Sequence, residues 1–365
     1  MFWDDEAKPT EPLPAVGGLV RPASIPPAES LAEATLATRF GWDLRLFRGQ
    51  RGADIYGGSG AYRLTGANAL LRQQNHRLDV LRVVSFAKFG NAVRQLRNVF
   101  AVALAYGARR IEFPNPTPYF FGNRVGKFDL AWRLTRQAPG QPEAPGLDGR
   151  FYYLDALGLK PGPQEQEEII RRYVRPLMAP ELKQLHPEVR DDDIVLHFRG
   201  GDVFGATGTY IHREYGQPPV GFYLAAVERE KPSRVWLVYE DRANPGVDAV
   251  EAALRARGIA VIAQSGTLDA DLRVLLSATR LVAGIGSFVP SVAALSTRAK
   301  RLYLFGGSIP TLQRLGITVI EGRDVRGDYR RAVRSGNWTA SAEQRALMLS
   351  YPADALDFVE HAAST

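Results

Sequence analysis

Asp193-Ile-Val-Leu-His-Phe-Arg-Gly-Gly-Asp202 is the stretch from which the fold is read. The apolar run Ile194, Val195 and Leu196 has the length and character of a short buried strand. It delivers His197, Arg199 and Asp202 to the strand's carboxyl end, the end at which open α/β sheets bind ligands. Gly200 and Gly201 leave the backbone bare after the arginine. Main-chain N–H groups are therefore expected to meet a polyanion there while the guanidinium pairs with phosphate oxygens, a set that suits a nucleotide diphosphate. The bland alternative is a Gly-Gly turn closed by an Arg–Asp pair, with no ligand and with His197 a satisfied core histidine.

The chain has 365 residues, enough for two domains of ordinary size, and its 45% apolar and 23% charged residues are those of a globular protein. No apolar run is long enough to span a bilayer, and Met1-Phe-Trp-Asp-Asp-Glu6 lacks the basic-then-apolar order of a signal peptide. A cytoplasmic location is expected, with peripheral membrane association at most. With no cysteine, disulfides, thiolate catalysis and cysteine-bound metals are excluded. His76, His186, His197, His212 and His361 include no close pair at zinc-site spacing. The formal charge of +7 is mostly arginine spread through the chain, never a basic tract, which argues against nucleic acid as the partner. Asp191-Asp192-Asp193 precedes its strand and lies at the end away from the ligand face. It is expected to be solvated and structural, and no metal is expected.

In chain order, residues 1 to about 30 read as an extended arm, 31–47 as a helix and Tyr56-Gly-Gly-Ser-Gly-Ala-Tyr62 as a turn. Leu81–Phe86 reads as a strand and Val93–Tyr106 as a helix burying Val93, Leu96, Val99, Phe100, Ala103 and Leu104. Gly107 stops it, and Arg110–Phe113 is the next strand: a βαβ start. Gly90 and Asn91 fall where the strand hands over to the helix, either as an anion or polar-substrate seat or as a tight turn with Asn91 as N-cap. The segment 115–150, with Tyr119, Phe120 and Phe121, is loop-heavy. A helix follows over 164–185.

After the central strand, helices are expected at 222–228, 245–257, 271–277 and from Val289. Strands are expected at 234–239, 259–263, 281–285 and 301–305, and 341–362 reads as a closing helix. The alternation predicts a parallel, doubly wound sheet. Gly286-Ser287-Phe288 sits between a strand and a helix N-terminus, again an anion seat.

His197-Phe-Arg199-Gly-Gly-Asp202 resembles the His-x-Arg-x-x-Asp signature of the fucosyltransferase superfamily that makes α1,2, α1,6 and protein O-fucose linkages. Phe89-Gly-Asn91 with Gln95-Leu96 is similar to the N-terminal Gly-Asn-x-x-x-Gln-Leu unit of the α1,2 group. Gly286-Ser287-Phe288, with Asp271 one helix earlier, is similar to the family's Ser-Ser-Phe element and its upstream acid, although Gly286 stands where the family usually has a first Ser. The motifs run in family order from residue 81 to about 305.

The resemblance implies an α/β fold of GT-B type, two Rossmann-like domains facing each other across a cleft. It implies an inverting, metal-independent transfer from GDP-fucose to a glycan or glycoconjugate hydroxyl, with no cofactor beyond that donor. Arg199 would neutralise the leaving diphosphate with Ser287 and the backbone at Phe288, and Asp202 would hold Arg199 or its loop. His197 and Asp271 would address ribose and guanine, while Gly90 and Asn91 would face sugar and acceptor. Another GDP-sugar as donor, a catalytically silent nucleotide-sugar or glycan-binding protein, and a nucleic-acid binder are the alternatives, in that order. As general base, Glu112, Asp202, Glu214 and Glu240 are all conceivable. The expected organisation is an arm and helical extension (1–76), an acceptor-side domain (77–190), a GDP-sugar domain (191–330) and the closing helix (331–365).

Overall fold

A computed structural model describes residues 62–65, 80–83, 85–113, 119–120, 127–129, 132–136, 146–152, 154, 159, 161–205, 211, 213, 215–333 and 336–364. The expected arm, the 31–47 helix, most of the Gly-rich turn, His76, Phe121, His212 and Glu214 lie outside them.

The chain divides after Ala179 into two compact units. The expected boundary near residue 190 is therefore about ten positions late. The strand signal at Ile194 is strong, whereas the short turns before it carry little periodicity.

The N-terminal unit holds a six-stranded sheet. Its strands are β1 (Tyr62–Thr65), β2 (Val80–Val83), β3 (Arg110–Phe113), β4 (Lys127–Asp129), β5 (Trp132–Arg136) and β6 (Gly146–Gly149). Their spatial order is β1-β6-β2-β3-β5-β4, parallel through β6-β2-β3-β5 with an antiparallel strand at each edge.

Between β2 and β3 runs α1 (Phe89–Tyr106), the predicted βαβ crossover. Val93, Leu96, Val99, Phe100 and Ala103 are buried at helical spacing, but Leu104 is 45% exposed and not part of that face. Gly107 ends the helix at φ 66°, a left-handed turn that glycine adopts without a Cβ penalty, and donates its N–H back to the Ala103 carbonyl. Lys88, not Asn91, occupies the N-cap position, so Gly90 and Asn91 lie inside the first turn. The expected 164–185 helix is broken: α2 (Pro163–Ile169) passes into a π turn (Ile170–Val174) and 3-10 turns at Arg175–Leu177 and Pro180–Lys183. Pro176 and Pro180 each remove a helical N–H and crowd the preceding turn.

The C-terminal unit is built on β7 (Ile194–Phe198), β8 (Arg234–Tyr239), β9 (Ala260–Gln264), β10 (Arg280–Val282), β11 (Arg301–Phe305), β12 (Thr318–Asp324) and β13 (Leu356–His361). The helices are α3 (Val220–Glu230), α4 (Pro245–Ala256), α5 (Leu268–Ser277), α6 (Phe288–Leu295), α7 (Pro310–Arg314), α8 (Asp328–Val333) and α9 (Ala342–Ser350). The sheet order is β13-β12-β11-β10-β7-β8-β9, and every pairing is parallel except β12 with β13. From β9 to β12 this is the doubly wound order 3-2-1-4-5-6. The predicted mixed α/β class and parallel sheet are what the chain adopts.

The closing element is not one helix over 341–362. A Ser341–Gln344 capping box starts α9, which ends before Tyr351-Pro352. Leu356–His361 then returns as an edge strand against Val319–Asp324. Residues 331–365 thus belong to the C-terminal unit.

Asp193 is also not solvated. Its carboxylate is buried beneath β8, accepting from Arg234 Nε (3.0 Å) and Nη2 (2.7 Å), the Trp236 indole (2.9 Å) and the Arg190 N–H (2.9 Å). Burial works against the charge, yet these donors hold its pKa below the usual aspartate value. Asp191 and Asp192 are exposed.

Candidate functional site

β7 is the first strand of its sheet in chain order. The chain builds outward through β8 and β9 on one side, then returns to place β10 on the other, with Leu281 opposite Val195 and Val282 opposite Leu196. The crevice outside the carboxyl ends of β7 and β10 is therefore the topological switch point where such sheets take ligands. His197 and Arg199 leave β7 at that point, and Gly284 to Phe288 leave β10 beside them.

Arg199 is boxed. Its Nε and Nη2 donate to Asp202 Oδ1 (3.3 and 3.1 Å), and Nη2 also reaches Oδ2 at 3.1 Å. Its guanidinium carbon stands 4.0 Å from the centre of the Tyr215 ring. A Cβ on Gly286 would lie 3.1 Å from Nη1, and Gly286 itself has φ +139°. The backbone conformation at 286 thus favours glycine, and a side chain there would push Nη1 aside by a few tenths of an ångström. Nη1 is the part of the cation with no hydrogen bond among the described residues.

The glycines after Arg199 do something other than expected. The Gly201 N–H donates to Asp241 Oδ2 at 2.8 Å, and a Cβ on Gly200 or Gly201 would come within 2.5 Å of Asp241 or 2.7 Å of Glu240. Gly201 has φ +50°. The pair lets two carboxylates from the end of β8 pack against the turn, so the Gly201 amide is not offered to an anion. The anion-favouring backbone at this end of the sheet is instead the start of α6, where Ser287 holds the N-cap position without a side-chain cap bond.

His197 sits over Phe288, ring centroids 5.1 Å apart. Its Nδ1 is buried without a hydrogen-bond partner among the described residues, so it is not a satisfied core histidine. Burial, reinforced by the Arg199 charge, lowers its pKa to about 3, and the ring is neutral at ordinary pH. The Tyr223 hydroxyl donates to the His197 carbonyl at 3.2 Å and fixes the strand end.

Asp271, in the first turn of α5, accepts from Gln264 Nε2 at 3.1 Å. Its pKa is raised by burial, with Glu240 adding repulsion. It lies beside Gln264, the last residue of β9, on the far side of β8 from β7 in the sheet order. Gly90 and Asn91 belong to the other unit, where the Tyr152 hydroxyl donates to Asn91 Oδ1 at 3.0 Å. Of the acids considered as bases, Asp202 is paired with Arg199 and Glu112 with Arg82 at 2.9 Å. Glu240 makes no ion pair among the described residues and is exposed. Among those residues no group of three or more His, Asp or Glu side chains is arranged to hold a metal, and no helix is long and apolar enough to cross a membrane.

Sequence reading missed Tyr215, Asp241, Asn244 and Gln217. Asn244-Pro245 does carry a helix-start signal, but nothing in it points to a strand end some forty-five positions earlier.

Fold and site define a mixed α/β protein with an arginine-centred crevice at a topological switch point. No family model matches the chain and no curated protein matches its sequence. Among solved structures it is similar to POFUT1 in complex with GDP-fucose, at 12% identity and TM-score 0.38 over 61% of this chain and 96% of that one. It is also similar to the dodecameric iron-containing heptosyltransferase TibC in complex with ADP-D-beta-D-heptose, at 13% identity and TM-score 0.36 over 65% and 61% of the two chains. A third likeness is to the E. coli heptosyltransferase WaaC with ADP, at 14% identity and TM-score 0.33 over 65% and 90%.

Proposed function

We propose that the chain is an inverting, cytoplasmic glycosyltransferase of GT-B type that moves fucose from GDP-fucose to a hydroxyl of a glycan or glycoconjugate. The observation that carries this reading is the placement of Arg199. A guanidinium fixed at the switch point, with Nη1 unbonded among the described residues, lies beside the start of α6, the combination a departing diphosphate needs. An acceptor hydroxyl attacks C1 of the sugar, the C1–O bond to the diphosphate breaks, and its electron pair leaves on the β-phosphate oxygen. The hydroxyl proton passes to a base; of Glu112, Asp202 and Glu240, the described acids considered for that role, Glu240 is the one outside any ion pair among the described residues.

Arg199 acts chiefly by stabilising the charge that develops on GDP as the bond breaks, and electrostatic stabilisation of this kind usually lowers such a barrier more than any other single effect. It takes the place a divalent cation would otherwise fill. Asp202 acts through Arg199 by holding its orientation. The neutral His197 has a single ring N–H to give and suits a ribose hydroxyl or a phosphate oxygen, while the Asp271 carboxylate suits the guanine N–H edge. Ser287, the Phe288 backbone, Gly90 and Asn91 complete the donor and acceptor contacts in this scheme. Another GDP-sugar would share every contact except the few that read the sugar. A silent binding protein would share them all.

Calorimetric titration with GDP, GDP-fucose, GDP-mannose, UDP and ADP tests the reading. Selective binding of guanine diphosphates, lost in Arg199→Ala, is the expected result. Sugar transfer or donor hydrolysis then distinguishes an enzyme from a binding protein. Failure to bind any nucleoside diphosphate, with candidate acceptors present, would overturn the assignment.

A further inference from the structure

Resting on that reading of Arg199, we infer that Asn244 is the positioning residue that sets where the guanidinium points, acting together with Gln217. Both side chains are almost fully buried, each 1% exposed. Asn244 Nδ2 donates to the Arg199 carbonyl at 2.9 Å and to Gln217 Oε1 at 3.2 Å, while its Oδ1 accepts the Gly246 N–H at 2.9 Å and caps α4. Gln217 Nε2 donates to the Gly216 carbonyl at 2.9 Å, and the Gln217 carbonyl accepts from the Tyr329 hydroxyl at 2.6 Å. A Cβ on Gly216 would stand 2.7 Å from the Val333 side chain, so the segment is seated closely on α8. One amide therefore joins the two pieces of chain that grip the cation. Its first contact fixes the backbone of Arg199, and its second fixes the segment that begins with Tyr215, whose ring covers the guanidinium.

The amide is needed as an amide. The N-cap role alone would be met by Asp or Ser. In Asn244→Asp, however, an oxygen replaces the donor and faces two acceptors, in a buried place where an unmet acceptor is costly. The cap survives and the Arg199 linkage does not. Asn244→Ser keeps the cap and the neutrality but is too short to reach both acceptors, and serves if the Asp variant does not fold.

Two readouts decide the matter. The first needs no ligand: the side-chain Nε–H signal of Arg199 in a nitrogen-15 spectrum, assigned by its loss in Arg199→Ala, is expected to shift or broaden in the Asn244 variants. The second compares GDP with guanosine. GDP affinity is expected to fall about tenfold while guanosine affinity changes less than about twofold, because only the diphosphate contacts depend on the cation. General loosening would lower both alike. An unchanged Nε–H signal with an unchanged GDP-to-guanosine ratio overturns the inference. If the wild-type protein binds no nucleoside diphosphate, the donor-site reading fails, and the Nε–H signal alone still decides whether Asn244 positions Arg199.

Discussion

The guanidinium carbon of Arg199 lies 4.0 Å from the centre of the Tyr215 ring, and Asp202 holds the Nε–Nη2 edge of the same cation. Ring and carboxylate act on different parts of the group: the carboxylate fixes its rotation, the ring covers one face. A stacked cation of this kind is worth about 0.5–1 kcal/mol when partly exposed. Tyr215→Leu is expected to weaken GDP binding about three- to fivefold, and Tyr215→Phe to leave it within about twofold. Calorimetry on the two variants checks this; equal losses would show that the hydroxyl, not the face, matters.

Gly286 offers a sharper test of the same geometry. A methyl group there would press on Arg199 Nη1 at 3.1 Å in a backbone conformation, φ +139°, that L side chains rarely adopt. Gly286→Ala is expected to displace the guanidinium and cut GDP affinity about tenfold or more. Gly258 has a left-handed φ of +71° and nothing within 4 Å of its would-be Cβ, so Gly258→Ala controls for backbone strain alone. It is expected to lower the denaturation midpoint without touching the nucleotide.

Why the C-terminal sheet was legible and its site only in part follows from the kind of signal each carries. Arg234–Tyr239 and Arg301–Phe305 are apolar runs bounded by turns, and their predicted ends coincide with the observed ones. Leu356–His361, with Phe358 and Val359 side by side, lacks a clean strand alternation, and it follows a helix start strong enough to mask it. Arg199, Asp202 and Gly286 come together because short-range pattern and strand order suffice to place them. Tyr215, Asp241 and Asn244 reach the same turn through side chains from separate segments, and single-sequence spacing holds no trace of such contacts. The Gly200-Gly201 pair shows the limit: bare backbone was readable, but that Asp241 takes the Gly201 amide was not.

Asp193 anchors the opposite end of β7. Replacing it with alanine strands the buried Trp236 indole N–H and leaves Arg234 without its carboxylate, and is expected to cost about 3 kcal/mol. Urea denaturation should show a lower midpoint with an unchanged slope. The pKa of Asp193 is lower in the folded state than in the unfolded one, so the folded state binds fewer protons near it. Its contribution is present above about pH 4 and is lost as pH falls through the lowered value. The wild-type and Asp193→Asn stability curves should therefore converge in acid.

His197 carries the opposite charge on protonation but the same sign of pH dependence. Its pKa falls from the ordinary histidine value of 6.5 to about 3 on folding, chiefly because burial disfavours the imidazolium, with Arg199 nearby adding repulsion. Between those values the unfolded chain holds a proton that the folded protein does not, so stability falls as pH is lowered. The slope for this one group approaches about 1.4 kcal/mol per pH unit. Above about pH 7 both states are neutral and the contribution is flat. His197→Gln removes the titrating group and should flatten the stability profile between about pH 6 and pH 4 relative to wild type. The same neutrality bears on binding: the wild-type affinity for GDP should not change between about pH 6 and pH 8 through this residue, because no imidazolium exists there to attract the diphosphate. A wild-type rise in GDP affinity on acidification across that range, absent in His197→Gln, would mean that the bound anion draws a proton onto the ring.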